Sequence, residues 1–332
     1  MILPKVAFIG TGGTIASLGA TPLELQDYAA NGVMLEADAI VARFPELAAV
    51  AEVIPVKYRA VPSTNIYFDD WKALVLLCDR LEREHPDLAG IVIGHGTASL
   101  EETAYFLNLT LKTRLPVVIV GSQRPASALS SDAGLNLVNA CRTAASPAAR
   151  GLGVLVLLND EIHAARDVRK TSTLRMQTFQ AADFGALGHA DGDAIAFYRR
   201  PMRISAPETE FDIRELDVLP RVDIVYAYTG SDATAVRAFV AAGARGIVSA
   251  GFPPGSPGPA DFEALKEAVV AGVVVVQSTR AGSGRTFRGK RTREAGFLIA
   301  DNLTPQKARL LLALALTQSS DPDDITRCFL AY

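Results

Sequence analysis

The 332-residue chain has only three cysteines, four histidines and one tryptophan. Cys78, Cys141 and Cys328 lie far apart, and their odd number argues against a disulfide framework. There is no Cys-x-x-Cys pair, and His85, His95, His163 and His189 lack metal-ligand spacing, so no metal is expected. Excess charge is also missing. A formal net charge of -3, from 33 basic and 36 acidic residues, gives no footprint for nucleic acid. No apolar run reaches the length of a bilayer crossing, so no membrane partner is expected. The N-terminus lacks the series of basic segment, apolar stretch and small-residue cleavage site that marks an export signal, and a cytoplasmic location follows as the expectation. Several catalytic motifs fail too. Gly10-x-Gly12 follows an apolar run, but the third glycine of a dinucleotide fingerprint would fall at Ile15. No phosphate loop and no Gly-x-Ser-x-Gly elbow occurs.

What is abundant is apolar residue, 49% of the chain, enough for a large core and one or two domains. Short apolar runs at Val6–Ile9, Gly90–Ile93, Pro116–Val120 and Val154–Leu158 read as buried strands. Helical spacing occupies Asp70–Arg83, Leu100–Leu111 and Leu135–Ala145. This alternation predicts an α/β fold with a mostly parallel sheet flanked by helices. Ser99-Leu-Glu-Glu102 reads as a capping box. A second, smaller α/β domain begins near Arg221, with strands at Val222–Tyr226, Gly246–Val248 and Val273–Gln277 and helices at Asp232–Ala241 and Pro259–Val270. Thr304–Leu316 and Asp321–Tyr332 read as closing helices. The expected division is a catalytic domain over residues 1–205, a connection over 206–220 and a C-terminal domain over 221–332.

Ligands of parallel sheets sit beyond the carboxyl ends of the strands. Two short motifs fall there: Thr11-Gly-Gly-Thr-Ile-Ala16 and His95-Gly-Thr97. With Arg166-Asp-Val-Arg-Lys170 they supply two threonines and a lysine, the parts of a hydroxyl-nucleophile amidase. A lysine serves as base when burial or neighbouring charge lowers its pKa. His95 reads as a packing or hydrogen-bonding residue at a strand end rather than a general base, and Asp167 as a salt-bridge or cap residue.

These two motifs, with Glu101-Glu-Thr-Ala-Tyr-Phe-Leu107 after the second, resemble the signatures of the bacterial-type asparaginase/glutaminase family. The resemblance continues through Pro116–Pro125, Arg166–Val168, Gly246–Gly251 and Thr304–Arg309, nearly the whole chain. It implies a homotetramer, a dimer of dimers with shared active sites, acting on a small-molecule amide; that chemistry needs only hydroxyls, a base and N–H donors, so no cofactor is expected. It implies Thr14 as primary nucleophile, Tyr28 as the tyrosine of a mobile lid over Leu18–Asn31, and Thr97 with Lys170 as the second catalytic pair. Ser63 falls where the family holds a substrate carboxylate, with Thr64 and Gly96 beside it.

The departures lie in the family's ammonium site. Ala98 stands where its aspartate binds the substrate α-ammonium. Ser256 lies near an expected asparagine, and the basic run Gly284–Arg293 occupies the place of an expected glutamate. A buried ammonium without partners costs several kcal/mol. The leading expectation is an amidohydrolase whose specificity has moved away from free L-asparagine, toward an acylated amide, a dicarboxylic monoamide or a lactam-like compound. An ordinary L-asparaginase/glutaminase with a rebuilt ammonium site, and a non-catalytic small-molecule sensor, are the alternatives. The basic run reads either as a carboxylate-binding element at a subunit interface or as a solvated charged loop.

Overall fold

The computed structural model describes residues 2–332, apart from the side chain of Asn31. Met1, first residue of the expected catalytic domain, lies outside them, as does that side chain at the end of the expected lid. The chain divides into two compact units, Met1–Arg214 and Glu215–Tyr332.

The first unit holds an eight-stranded sheet. Its strands are β1 (Lys5–Gly10), β2 (Glu52–Lys57), β3 (Leu88–Gly94), β4 (Val117–Val120), β5 (Val154–Leu158), β6 (Glu161–Ala164), β9 (Gly188–Ala190) and β10 (Ile195–Phe197); β7 (Arg169–Lys170) and β8 (Phe179–Gln180) form a separate hairpin. The order is β10-β9-β6-β5-β4-β3-β1-β2. The half from β2 to β5 is parallel, with β1 between β2 and β3 and Ile91 opposite Val117. The pairings β5–β6, β6–β9 and β9–β10 are antiparallel. Asn159 and Asp160, at φ 52° and 63°, make the two-residue turn between β5 and β6.

Alternation along the strands splits the core into two faces. Val6, Phe8, Val92, Val118, Leu155 and Leu157 pack with α1 (Ala37–Arg43) and α4 (Ala133–Ala145) through Ile40, Leu137 and Cys141. Their neighbours Ala7, Ile9, Ile91, Ile93 and Ile119 are equally buried on the other face. There α3 (Leu100–Thr110) packs on β5 and against α2 (Phe68–Glu84), with Trp71 stacked on Phe106 at 4.5 Å.

The expected capping box does not form. Ser99 is the N-cap of α3, but its Oγ donates to the Ser63 carbonyl at 2.7 Å and caps nothing. A hydroxyl spent on a neighbouring loop is lost to the helix end. Part of the expected connection over 206–220 is built into the first unit. Phe211 and Ile213 are buried, and the Ala206 N–H donates to the Asn108 carbonyl at 2.9 Å, so the first unit runs on to Arg214.

The second unit has a four-stranded parallel sheet, β11 (Val222–Tyr226), β12 (Gly246–Gly251), β13 (Val274–Thr279) and β14 (Leu298–Ile299), in that order. On it pack α5 (Thr234–Ala241), α6 (Pro259–Val270), α8 (Pro305–Ala315) and α9 (Pro322–Ala331); α7 (Lys290–Glu294) is one short turn. Pro305 and Pro322 open the last two helices, behind N-caps Thr304 and Asp321 whose side chains accept main-chain N–H groups. The α/β fold class is the one read from the sequence, while β14 was not among the expected strands. Among the described residues, no helix is long and apolar enough to cross a membrane.

Candidate active site

At the carboxyl edge of the parallel half, three loops meet at glycines. The Thr11 N–H and Oγ1 both donate to the Gly94 carbonyl, at 3.0 and 2.9 Å, which joins the ends of β1 and β3. Gly12 and Gly13 follow at φ 95° and 83°, a region where L side chains are strained. A Cβ on Gly13 would lie 2.1 Å from Gly96 Cα, and one on Gly96 would lie 2.9 Å from Ser63 Cβ. The backbones of residues 12–14, 95–97 and 61–63 are thus packed without side chains between them. This packing brings Thr14, Ser63 and Thr97 to one place.

Thr14 opens a 3₁₀ turn, Thr14–Ala16, and its Oγ1 lies 2.8 Å from the Tyr28 hydroxyl. Tyr28 belongs to a 3₁₀ turn, Tyr28–Asn31, in a segment tied down at its flanks: the Leu18 N–H donates to the Val33 carbonyl and the Gly19 N–H to Ser127 Oγ. Lys170, on β7, donates from Nζ to Thr97 Oγ1 at 2.8 Å. Thr97 is 6% exposed and Lys170 is half-buried. Burial lowers the Lys170 pKa below the usual lysine range; the Glu101 charge opposes it. The main-chain N–H groups of Thr14, Thr97 and Ala98 donate to nothing among the described residues.

His95 is fully buried, and its Nδ1 lies 2.8 Å from the Gly96 carbonyl. Burial pushes its pKa down to about 4, so the ring is neutral at physiological pH and holds the loop. Ser63 is buried; its Oγ accepts the Ser99 N–H at 3.3 Å. Gly96 is buried, while Thr64 and Ala98 are exposed. Asp167 pairs with Arg166 at 3.2 Å.

Ser256 lies in the second unit, exposed, in a tight loop where the Phe252 N–H donates to the Ser256 carbonyl at 2.7 Å. The basic run in that unit is not a plain loop. Part of it forms α7, and some of its charges are locally paired: Arg285 with Asp301 at 2.5 Å, Arg291 with Glu263 at 3.3 Å and over the Phe262 ring at 3.7 Å. Glu101 escaped the sequence reading as a site residue. Its carboxylate accepts the Lys170 main-chain N–H, and the available signal was its place four residues after Thr97.

Comparison with known proteins agrees with this architecture. Residues 5–203 match the family model of the asparaginase N-terminal domain, and residues 221–329 that of the glutaminase/asparaginase C-terminal domain. L-asparaginase 2 of Bacillus subtilis is 42% identical, over 99% of this chain and 87% of its own. A probable periplasmic L-asparaginase of Haemophilus influenzae is 38% identical, over 98% of this chain and 93% of its own. The crystal structure of a probable cytoplasmic L-asparaginase from Campylobacter jejuni superposes with a TM-score of 0.93 at 36% identity, covering 99% of this chain and all of that one. Fold and matches together define an α/β amidohydrolase acting on amides. The chain belongs to the asparaginase family.

Proposed function

We propose that this amidohydrolase uses Thr14 as its nucleophile, with Tyr28 assisting and the Thr97–Lys170 pair as the second catalytic unit. The observation that carries the reading is a pair of 2.8 Å contacts, Thr14 Oγ1 to Tyr28 OH and Lys170 Nζ to Thr97 Oγ1, on loops joined at Gly13 and Gly96. A hydroxyl attacks when a partner takes its proton, and a lysine with lowered pKa is a fit acceptor. The Thr14 oxygen adds to the carboxamide carbon and yields a tetrahedral oxyanion. The unengaged N–H groups of the two tight turns are suitable donors for it. Its collapse breaks the C–N bond, the nitrogen leaves as ammonia with the returned proton, and an ester on Thr14 remains. Water then attacks that ester, releases the acid and restores the hydroxyl.

Ser63, Thr64, Gly96, Ala98 and Ser256 form the proposed substrate-binding set, with Ser256 contributed by a neighbouring copy in a tetramer. Ala98 sets the substrate preference. It brings an exposed methyl where the family resemblance expects a carboxylate, so a free α-ammonium loses its main partner. The preferred substrate on this reading is a small carboxamide without a free α-amine. The 42% identity to a protein named L-asparaginase 2 favours the second reading, an ordinary asparaginase with a rebuilt ammonium site. A cytoplasmic location accords with the name of the Campylobacter protein. Ammonia release by the full chain tests the chemistry: Thr14→Ala is expected to lose about a thousandfold or more in kcat. Near-native turnover in that variant would remove Thr14 from the mechanism.

A further inference from the structure

Lys170 is held at two points on one helix start. Its Nζ donates to Thr97 Oγ1 at 2.8 Å, and its main-chain N–H donates to Glu101 Oε2. Thr97 precedes α3 and Glu101 lies in its first turn, four residues on. Lys170 itself sits on β7, two residues long, which pairs only with the equally short β8, Lys170 opposite Phe179. Beyond it, the Thr171 N–H and Oγ1 donate to the Thr178 carbonyl, which closes the hairpin on itself. Those bonds make the hairpin, and Gln177 in its loop donates to Glu161 of β6 at 2.9 Å and accepts from Asn159 at 2.5 Å, but none of them reaches α3. The Glu101 carboxylate ties it to α3, and a charged acceptor makes a stronger bond than a neutral one.

We propose that Glu101 is a positioning residue for Lys170: its carboxylate fixes the main chain of β7 on the first turn of α3, so that the lysine Nζ meets Thr97. This rests on the reading of Lys170 as the base. The same carboxylate acts on the lysine charge. The charged groups on the adjoining elements are Glu101 and Glu102 on α3, the Arg166–Asp167 pair, and Arg169 beside Lys170; β8 brings only Phe179 and Gln180. Of these, Glu101 favours the protonated lysine, against the burial that disfavours it. Removing its charge therefore lets Lys170 lose its proton at lower pH.

The test is the pH profile of ammonia release by full-length Glu101→Gln, Glu101→Ala and Lys170→Met, on the amide the native protein hydrolyses fastest. The Gln amide oxygen still accepts the N–H. Glu101→Gln is expected to hold kcat at the alkaline end within about threefold, while its acid limb moves down by about half a pH unit or more. Glu101→Ala loses the tie and is expected to lose about tenfold or more in kcat with KM within about twofold. Native kcat and an unmoved acid limb in both Glu101 variants would overturn the proposal, as would equal losses in both without a limb shift. Lys170→Met separates the two levels. Its activity near that of the native protein would sink the base itself, whereas its collapse beside unaltered Glu101 variants would sink only the role of Glu101.

Discussion

At the scale of single residues, the proposed chemistry rests on two threonines and a lysine, each set in a short local context. A threonine after two glycines, or between a strand-end histidine–glycine pair and a helix start, stands out in one dimension. Glu101 was less legible: its place four residues after Thr97 was the one local hint, and its partner is a main-chain N–H 69 positions away. Ser99 misled for the same reason. Its hydroxyl had two possible acceptors or donors in reach, and the nearby Ser63 loop won over the helix end. On the proposed reading, specificity turns on Ala98, which has no polar group to give an ammonium. Ala98→Asp is expected to raise kcat/KM for L-asparagine about tenfold or more relative to an amide lacking the free amine, because a charged hydrogen-bonded pair is restored. An unchanged ratio in paired steady-state assays would mean that the ammonium pocket is misread.

At the scale of elements, the loops after β1 and β3 work as one piece because neither has a side chain at the crossing. Gly13→Ala places a Cβ at a positive φ and 2.1 Å from Gly96 Cα. We expect it to destabilise the fold by about 2–4 kcal/mol, through strain and overpacking together. Gly151→Ala has a similar φ of 70° but meets nothing within 4 Å, so about 1 kcal/mol is expected there. Urea midpoints of the two variants check this; equal losses would mean that the close approach carries no weight. The parallel strands β1, β3, β4 and β5 were readable as unbroken apolar runs, buried on both faces. The short strands β6, β9 and β10 were not. With three or four residues each, they owe their pairing to neighbours in the sheet more than to their own pattern. The Asn159-Asp160 turn was the one local signal of that antiparallel half.

At the scale of the whole molecule, the proposed assembly is four copies with shared active sites. The segment after β10 is in keeping with a covered surface: Met202 is 99% exposed in the single chain, with Tyr198 and Ile204 also exposed nearby. Light scattering on an eluting peak is expected to give four chain masses at micromolar concentration, and a fully active single chain would refute the shared-site reading. The central claim, a family amidohydrolase whose ammonium pocket has been emptied of charge, is tested most directly by substrate choice. The measurement is ammonia release from L-asparagine beside N-acetyl-asparagine, glutamine and succinamic acid, at equal enzyme and substrate. The account predicts turnover of one or both compounds without the free amine at least about tenfold above asparagine. Asparagine as the fastest substrate would contradict it and make this chain an ordinary asparaginase.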